Sequence, residues 1–463
     1  MFDLIIVGGG PGGYVGAIRA AQLGMSVMVV EKDALGGTCL NRGCIPTKSF
    51  YNDSKLFKQA KCSTVLTGNE QLDISVGAVV ARKRSLVKGL VGGIAGLLQA
   101  NGVQVTCGSG RINGTGSVTV QAHDGSTTDY QAKHILLATG SRPQVLPFLT
   151  VDGQLIQTTD HALDEENVPE RIAIIGGGVI GVEMAGIYAN MGRQVTIFEV
   201  LPELIMTEDA EVSALTRKKA QQLGITLHLG TKVTSVTPLD GALSVSFTDS
   251  SGQNASITVD RLLAATGRVP CLEGVDHLGL AMNGPFLKVD TTFQTSLSGV
   301  YAIGDVIGGM MLAHKASAEA EATVEMLAGH LTNAPKMLIP SCIWGPIEIG
   351  SVGLTEDQAK DQGISVSIGR FPYKFSGAAA AKGVGDGFVK IVGDRHSGEI
   401  LGVHIAGEGA TEMIGEAISL MGVEGVVEDL HHVIKPHPSL SETVLEAALD
   451  WSGRAVHTPP RKR

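Results

Sequence analysis

Two cysteines, Cys39 and Cys44, offer the most specific chemistry in this sequence. Four residues separate them, and glycine and proline stand beside them in residues 36–48, GGTCLNRGCIPTK. Thiols at this spacing can close a small, reducible disulfide ring, and a thiol at a helix start has a lowered pKa because the helix dipole stabilises the thiolate. A structural disulfide or a metal site is the alternative, but no second Cys/His pair with ligand spacing accompanies the thiols. The pattern favours thiol–disulfide exchange and predicts no metal.

Cysteine count and charge restrict the class of protein. Six cysteines in 463 residues are too few for a disulfide-stapled scaffold, so a disulfide in a reducing compartment is more often catalytic. The 36 basic and 46 acidic residues give a net charge of −10, which argues against nucleic acid or an anionic membrane as a partner. The start of the chain, MFD, enters an apolar strand without a basic segment or cleavage site. We therefore expect a soluble, cytoplasmic protein without membrane or nucleic-acid contacts.

Two glycine-rich loops follow apolar strands. Gly8, Gly10 and Gly13 lie between the strand LIIVG and a helical pattern, and a second strand ends at Glu31. Such glycines permit a tight turn, close approach to a pyrophosphate, and helix–strand packing. A lone motif of this kind can also be a turn without a ligand.

The same pattern returns at Gly176, Gly178, Gly181 and Glu199, and in both copies the acidic residue follows the last glycine by 18 positions. Two matching copies predict two dinucleotide-binding folds. The residues after Glu199, VLPE, offer no cation for a 2′-phosphate, whereas a carboxylate can accept a hydrogen bond from a ribose hydroxyl. We therefore expect NAD rather than NADP, the alternative being a solvated glutamate at the strand end.

Further along, each fold has an ATG segment, residues 138–143 (ATGSRP) and 265–270 (ATGRVP), which indicates a duplication. A helix is predicted from Ala313 to Leu331, and a proline-containing link follows at residues 333–340. The last segment contains strand patterns FVKIVG and ILGVHIAG and helix patterns ATEMIGEAISLM and LSETVLEAALD. It is predicted to form a separate α+β domain.

Several motifs occur in an order that resembles the pyridine nucleotide-disulfide oxidoreductases. In chain order they are VGGGPGGY, GGTCLNRGCIPTK, ATGSRP, GGGVIGVE, ATGRVP, YAIGDV, MLAHKASAEA and HPSLSE. The resemblance covers nearly the whole chain, and the cysteine motif is most similar to members that oxidise dihydrolipoyl groups. It implies an enzyme with FAD, NAD and a Cys39–Cys44 redox disulfide, which catalyses dihydrolipoamide + NAD⁺ = lipoamide + NADH.

The resemblance also implies which residues hold the cofactors. The FAD residues would be Gly8, Gly10, Gly13, Glu31, Thr38, Lys48, Gly110, Thr139, Gly140, Asp305 and Ala313, with Asp305 at the flavin ribitol. The NAD residues would be Gly176, Gly178, Gly181, Glu183, Glu199, Val233 and Gly267. Lys48 and Glu183 would pair beside the flavin, which gives both a catalytic role.

His437 and Glu442, in KPHPSLSE, complete the implied catalytic set. The family's equivalent pair is the acid/base that reaches the disulfide from the partner subunit, so a homodimer is implied. A carboxylate that orients an imidazole raises its basicity, which suits removal of a thiol proton. Without the motif, a histidine beside proline would be interpreted as a loop residue.

We therefore expect an α/β chain with two Rossmann-like, three-layer FAD- and NAD-binding domains and a C-terminal α+β dimerisation domain. The expected boundaries are 1–147 for the FAD-binding domain, 148–275 for the NAD-binding domain, 276–338 for a central domain that completes the FAD site, and 339–463 for the dimerisation domain. The expected partner is a lipoyl domain of a 2-oxoacid dehydrogenase complex or a glycine-cleavage carrier protein.

Three departures from the family pattern lie in the final domain, at Lys435-Pro436, residues 344–348 (WGPIE) and residues 376–378 (SGA). They leave the redox motif intact and suggest an unusual lipoyl carrier. A glutathione reductase-like activity is the main alternative, against which Glu199 argues. A mercuric reductase would end in a vicinal cysteine pair, whereas this chain ends in TPPRKR. A non-catalytic flavin-binding scaffold or redox sensor would not need intact Cys39, Cys44, His437 and Glu442.

Overall fold

The structure, a computed structural model, describes residues 1–459. The strands are β1 (Phe2–Val7), β2 (Val27–Glu31), β3 (Gln104–Cys107), β4 (Ser109–Gly114), β5 (Ser117–Gln121), β6 (Thr127–Leu137), β7 (Ser141–Pro143), β8 (Ile156–Gln157), β9 (Arg171–Ile175), β10 (Gln194–Phe198), β11 (Thr226–His228), β12 (Lys232–Leu239), β13 (Ala242–Thr248), β14 (Asn254–Val259), β15 (Arg261–Ala264), β16 (Arg268–Pro270), β17 (Met282–Asn283), β18 (Phe286–Leu287), β19 (Val300–Ala302), β20 (Ser341–Trp344), β21 (Glu348–Gly353), β22 (Val366–Pro372), β23 (Phe388–Asp394) and β24 (Ile400–Ala406). The α-helices are α1 (Pro11–Gln22), α2 (Gly37–Asn41), α3 (Cys44–Lys61), α4 (Val76–Ala100), α5 (Thr159–Ala162), α6 (Val179–Asn190), α7 (Ala210–Gln222), α8 (Ala313–Leu327), α9 (Glu356–Asp361), α10 (Gly377–Lys382), α11 (Ala410–Gly422) and α12 (Glu442–Trp451). Short 3₁₀ helices occupy Asn69–Gln71, Asp276–Leu278, Gly304–Ile307, Tyr373–Phe375 and Val427–His432.

The chain forms two compact units, each built from separate stretches of sequence. Unit 1 comprises residues 1–53, 75–168 and 266–337, and unit 2 comprises residues 54–74, 169–265 and 338 to the end of the described chain. No helix within residues 1–459 combines the length and the apolar character that a membrane crossing requires.

Unit 1 contains a sheet in the order β3-β2-β1-β6-β5-β4, with β19 also paired to β6. β1 pairs in parallel with β2 and β6, and α1 provides the crossover between β1 and β2. The residues of β1 alternate between two cores, Leu4 and Ile6 on one face and Ile5 and Val7 on the other. Both faces are covered, which is why this strand is a continuous apolar run. The predicted strand–helix–strand unit is confirmed.

Unit 2 repeats this arrangement with β11, β10, β9 and β15, which pair in parallel in that order. Helix α6 connects β9 to β10 and is buried over almost its whole length, since its sequence is apolar on every side. A three-stranded antiparallel sheet, β12-β13-β14, follows. The second predicted nucleotide-binding pattern is therefore confirmed.

The last part of unit 2 is an antiparallel sheet, β20-β21-β24-β23-β22, with α11 and α12 packed on it. Its core includes Ile391, Val403, Ile405, Ile414 and Val444. The strands and helices predicted here correspond to β23, β24, α11 and α12, and residues 333–340 contain neither helix nor strand. The α+β prediction is confirmed.

One buried lysine joins separate segments of unit 2. The Lys390 ammonium lies 2.9 Å from a carboxylate oxygen of Asp209, 3.1 Å from one of Glu211 and 2.8 Å from one of Glu356. Although burial opposes its charge, hydrogen bonds to Glu356 and Asp209 raise the pKa of Lys390. Its side chain is only 3% exposed.

We expect Lys390→Met to lower the melting temperature by at least roughly 6 °C, because it leaves the buried Asp209 carboxylate, and the partly exposed Glu211 and Glu356, without this cation. Lys360→Met is the control: its exposed pair with Glu356 should contribute no more than roughly 3 °C. Hydrogen bonds from Lys360 and Lys390 lower the pKa of Glu356. The contribution of this carboxylate to the stability of the fold is therefore complete above the usual carboxyl pKa range, and it is lost as the pH falls through the lowered pKa. Thermal denaturation at neutral and acidic pH measures both effects, and equal melting temperatures for the two variants would contradict the assignment.

Candidate active site

The loop after β1 has a backbone that favours glycine. Gly8 has a φ of +108°, and a Cβ there would lie 2.2 Å from the Ala138 carbonyl oxygen. A Cβ on Gly13 would lie 1.8 Å from the Gly8 carbonyl oxygen. Gly10 is the N-cap of α1 without a side-chain cap, and a Cβ on it would meet nothing nearer than 3.9 Å. The first turn of α1 therefore presents uncapped N–H groups to an approaching anion.

The loop after β9 has the same geometry. Gly176 has a φ of +113°, and a Cβ on Gly181 would lie 1.9 Å from the Gly176 carbonyl oxygen. Gly178 is the N-cap of α6, again without a side-chain cap, and a Cβ on it would meet nothing within 4 Å. Because the two loops agree in detail, both glycine motifs are built for the same kind of ligand.

The two strand-end glutamates contact their own glycine loops. Glu31 Oε2 accepts the Gly9 N–H at 2.6 Å, and Glu199 Oε2 accepts the Gly177 N–H at 2.5 Å. Burial raises the pKa of Glu31 despite the hydrogen bond from Gly9. Each carboxylate thus holds its own glycine loop in place, a role that the sequence did not reveal. The contacts of Glu31 and Glu199 with ribose hydroxyls stay a prediction.

The cysteine motif lies against the first glycine loop. A Cβ on Gly37 would be 2.8 Å from the Gly10 Cα, so the two glycines are in direct contact. Cys39 lies within the short helix α2, and Cys44 is the first residue of α3. Their side chains share a hydrogen bond. The predicted thiol pair therefore comes together beside the phosphate-binding loop predicted for FAD.

The Cys39 thiol has a raised pKa, first because of its hydrogen bond with Cys44 and then because of burial. The charge of Lys48, one turn into α3, opposes this rise. The expectation that a helix dipole lowers the thiol pKa was wrong for Cys39, because the neighbouring sulfur and burial outweigh its position in the first turn of α2. The reduced Cys39 is consequently protonated near neutral pH, so exchange at this sulfur is accompanied by proton transfer.

The other predicted FAD residues also belong to unit 1. Thr38 is in α2, Lys48 is in α3, Gly110 is in β4, Thr139 and Gly140 follow β6, Asp305 is in the 3₁₀ helix Gly304–Ile307, and Ala313 begins α8. A Cβ on Gly110 would lie 2.9 Å from a methyl carbon of Val7, the last residue of β1. Thr139 follows β6, the parallel neighbour of β1. Val7 and Thr139 thus mark the carboxyl ends of two neighbouring parallel strands, where ligands bind in open α/β sheets.

Asp305 belongs to a network that connects the two ATG segments. The Ser141 hydroxyl donates to Asp305 Oδ2, and Arg268 Nε donates to the Ser141 Oγ at 2.7 Å. The Arg268 guanidinium lies 3.9 Å from the Asp305 carboxylate. Antiparallel pairing of β16 with β7 brings these residues together. Ser141 and Arg268 were not predicted as site residues, although both stand directly after an ATG motif.

The predicted NAD residues are divided between the units. Glu183, in α6, is buried in unit 2 and accepts the Trp344 N–H at 2.9 Å. Val233 is a buried residue of β12. Gly267 belongs to unit 1, whereas the other six predicted NAD residues belong to unit 2. The NAD contact of Gly267 and the pairing of Glu183 with Lys48 stay predictions.

His437 and Glu442 form the predicted pair. His437 Nδ1 lies 2.9 Å from Glu442 Oε1, and the Ser439 N–H donates to Glu442 Oε2 at 2.8 Å. Burial raises the pKa of Glu442, but the hydrogen bonds from Ser439 and His437 outweigh it and lower the pKa. The His437 side chain is 78% exposed. When Nδ1–H is donated to the carboxylate, Nε2 is the atom that can accept a proton.

Both glycine loops fit a dinucleotide pyrophosphate, since each leads into a helix whose first N–H groups have no side-chain cap and whose N-cap glycine presents no side chain to an approaching ligand. The residues therefore fit FAD in unit 1 and NAD in unit 2. Among residues 1–459, histidine, cysteine, aspartate and glutamate side chains form no cluster of three that could hold a metal ion.

Two family models match this chain. Residues 2–320 match the pyridine nucleotide-disulphide oxidoreductase model, and residues 339–448 match the model of the dimerisation domain of pyridine nucleotide-disulphide oxidoreductases. The two matches together cover most of the sequence.

Similar proteins include the dihydrolipoyl dehydrogenase of Bacillus subtilis, which is 40% identical over 98% of this chain and 99% of the relative. That of Rhizobium etli is 37% identical over 98% of this chain and 99% of the relative. Among solved structures, LpdA from Mycobacterium tuberculosis has a TM-score of 0.89 and 26% identity, over 96% of this chain and 98% of LpdA. The flavoprotein disulfide reductase RclA from Escherichia coli, at 24% identity over 96% of this chain and 98% of RclA, shares the fold with a TM-score of 0.86.

Proposed function

Because this chain belongs to the pyridine nucleotide-disulphide oxidoreductases, we propose that it oxidises protein-bound dihydrolipoyl groups with NAD⁺, in the reaction dihydrolipoamide + NAD⁺ = lipoamide + NADH. The observation that carries the proposal is the hydrogen-bonded pair Cys39 and Cys44 beside the glycine loop of unit 1. The relatives named dihydrolipoyl dehydrogenase support the choice of substrate.

FAD and NAD are the cofactors of this family, and the glycine loops would hold one each. FAD would rest on Gly10 and contact Asp305, where it would supply the two-electron chemistry that connects the dithiol to NAD⁺. NAD would rest on Gly178, and Glu199, which has no cation in the following residues 200–203, favours NAD over NADP.

The disulfide exchange follows from the residues of the chain. His437, oriented by Glu442, removes a proton from one thiol of the dihydrolipoyl group. The resulting thiolate attacks Cys39 Sγ, which breaks the Cys39–Cys44 bond and leaves Cys44 as a thiolate. The second lipoyl thiol then attacks the lipoyl sulfur of this mixed disulfide, which closes the lipoyl disulfide, and the proton of that thiol passes to the released Cys39 sulfur. Two electrons pass from the dihydrolipoyl group to the cysteine pair, and Cys44 is the sulfur that passes them on.

The dimerisation domain supports a homodimer, in which the base would be His437 of the partner subunit. We propose a lipoyl domain of a 2-oxoacid dehydrogenase complex or a glycine-cleavage carrier as the protein partner, in the cytoplasm. The domain boundaries at residues 147, 275 and 338 belong to the same proposal.

An anaerobic titration tests the function. Dihydrolipoamide is added to the purified holoenzyme while the visible spectrum is followed, and NAD⁺ is added afterwards. We expect a long-wavelength band of a thiolate beside the flavin, and then NADH formation. The substrate assignment would be wrong if dihydrolipoamide left the flavin spectrum unchanged while NADPH reduced the flavin and oxidised glutathione reoxidised it. That result would leave the fold assignment unaffected.

A further inference from the structure

We propose that Lys315 and Glu319 are positioning residues that clamp the turn carrying Asp305 and thereby hold that carboxylate in place for FAD. This inference rests on the proposed contact between Asp305 and the flavin cofactor. It assigns a task to a buried ion pair that the exchange chemistry does not use.

The ion pair bonds both ends of the turn. Lys315 Nζ lies 2.7 Å from Glu319 Oε1 on successive turns of α8, and the two side chains are 9% and 6% exposed. Glu319 Oε2 accepts the N–H of Gly304, the first residue of the 3₁₀ helix, at 2.7 Å. Lys315 Nζ donates to the carbonyl oxygen of Gly308, the residue after that helix, at 3.2 Å. Asp305 lies between the two anchored residues.

The turn needs such anchors because glycines stand at both of its ends. Gly304 has a φ of +72° and Gly308 a φ of +77°. Glycine loses more conformational freedom on ordering than any other residue, so a turn that begins and ends with glycine is weakly fixed by its own backbone. The directional bonds from Lys315 and Glu319 supply the restraint that the glycines lack.

Helix α8 also contacts the helix that begins at the phosphate-binding loop. A Cβ on Gly12 would lie 3.1 Å from the Ala316 carbonyl oxygen, and one on Gly16 would lie 3.1 Å from the Ala320 Cβ. The same helix therefore packs on α1 and clamps the Asp305 turn. Bound FAD would touch both, with its pyrophosphate at α1 and its ribitol at Asp305, so α8 sets the spacing between the two contacts.

Burial of the Lys315 and Glu319 charges lowers the stability of the fold if the two side chains serve only to fill space. A buried ion pair loses hydration on both partners, and apolar side chains of similar size often stabilise a fold equally well or better. Apolar residues could fill this position in α8, but they could not bond the Gly304 N–H and the Gly308 carbonyl. We infer that positional accuracy at Asp305 is what the pair contributes.

The test is the affinity of the apoprotein for FAD, measured by fluorescence titration. The variant Lys315→Met/Glu319→Leu removes both charges and both bonds to the turn while leaving a filled core. We expect its dissociation constant for FAD to rise at least about tenfold and its flavin visible spectrum to shift. Lys315→Met/Glu319→Gln keeps an acceptor for the Gly304 N–H without leaving a buried, unpaired ammonium, and it should restore part of the affinity. Glu321→Gln changes a charge at an exposed position of the same helix and is the matched control.

The rate of FAD release from diluted holoenzyme gives the same information if the apoprotein of the double variant does not fold, and this rate should also rise at least about tenfold. A dissociation constant or release rate within about twofold of the control would overturn the inference. Failure of the proposed function would be distinct, because it would appear as wild-type holoenzyme that binds FAD but is not reduced by dihydrolipoamide.

Discussion

Replacing Cys39 by serine is expected to lower the turnover of dihydrolipoamide by at least about a thousandfold, because a hydroxyl cannot form the disulfide that accepts the two electrons. Cys44→Ser should have the same effect, since each cysteine supplies half of one bond. Serine is close in size to cysteine, and the contact between Gly37 and Gly10 is unchanged, so FAD should be retained. Steady-state NADH formation and the flavin absorbance of the purified variants measure the two quantities.

Cys62→Ser is the matched control, because Cys62 is exposed and lies outside the cysteine motif, directly after the last residue of α3. Its turnover should equal that of the wild type. A Cys39→Ser protein that retains more than about a tenth of wild-type turnover would contradict the exchange mechanism and favour the scaffold interpretation.

The parts of this molecule that could be predicted from the sequence are those in which the signal is local. The spacing of Gly8, Gly10 and Gly13 specifies a close strand–helix turn, because any side chain at Gly13 would overlap the Gly8 carbonyl. The short, mostly apolar runs FVKIVG and ILGVHIAG likewise predict β23 and β24. Helix α8 was expected to reach Leu331 and ends at Leu327, since no periodic pattern marks a helix end reliably.

Contacts between distant segments could not be predicted in this way. Ser141 and Arg268 are 127 residues apart and meet because β7 pairs with β16, and such pairing has no signature in either segment. The sequence MLAHKASAEA shows Lys315 and Glu319 four residues apart, which by itself indicates a surface ion pair. Only the fold reveals that this pair is buried against the Asp305 turn.

The pKa of Cys39 illustrates a second limit of local reasoning. A helix start lowers a thiol pKa, but the net direction depends on burial and on the neighbouring sulfur, and both follow from packing. The raised pKa means that reduced Cys39 is a thiol near neutral pH, so exchange at this sulfur involves proton transfer in both directions of the reaction. A group that takes up and returns protons is therefore part of the chemistry.

Replacing His437 by glutamine should accordingly reduce dihydrolipoamide turnover by about 10²- to 10⁴-fold, the usual contribution of a general base. Glu442→Gln should cost about ten- to a hundredfold, because it removes the carboxylate that orients the imidazole from 2.9 Å. Since the pKa of Glu442 is lowered, its carboxylate stays charged throughout the neutral range, and the pair is lost only as pH falls through that lowered pKa. The Glu442→Gln defect should therefore be present throughout roughly pH 6 to pH 8.

Helix α12 provides an internal control for this prediction. Glu446, one turn along this helix from Glu442, pairs with a second histidine beyond the helix end: His457 Nδ1 lies 2.7 Å from Glu446 Oε1. His457→Gln removes a comparable imidazole from a comparable carboxylate but leaves the HPSLSE motif intact, so turnover should stay within about twofold of the wild type. Equal losses in the His437 and His457 variants, measured with NAD⁺ and dihydrolipoamide at saturation, would show that disturbance of α12 and not loss of the base explains the defect.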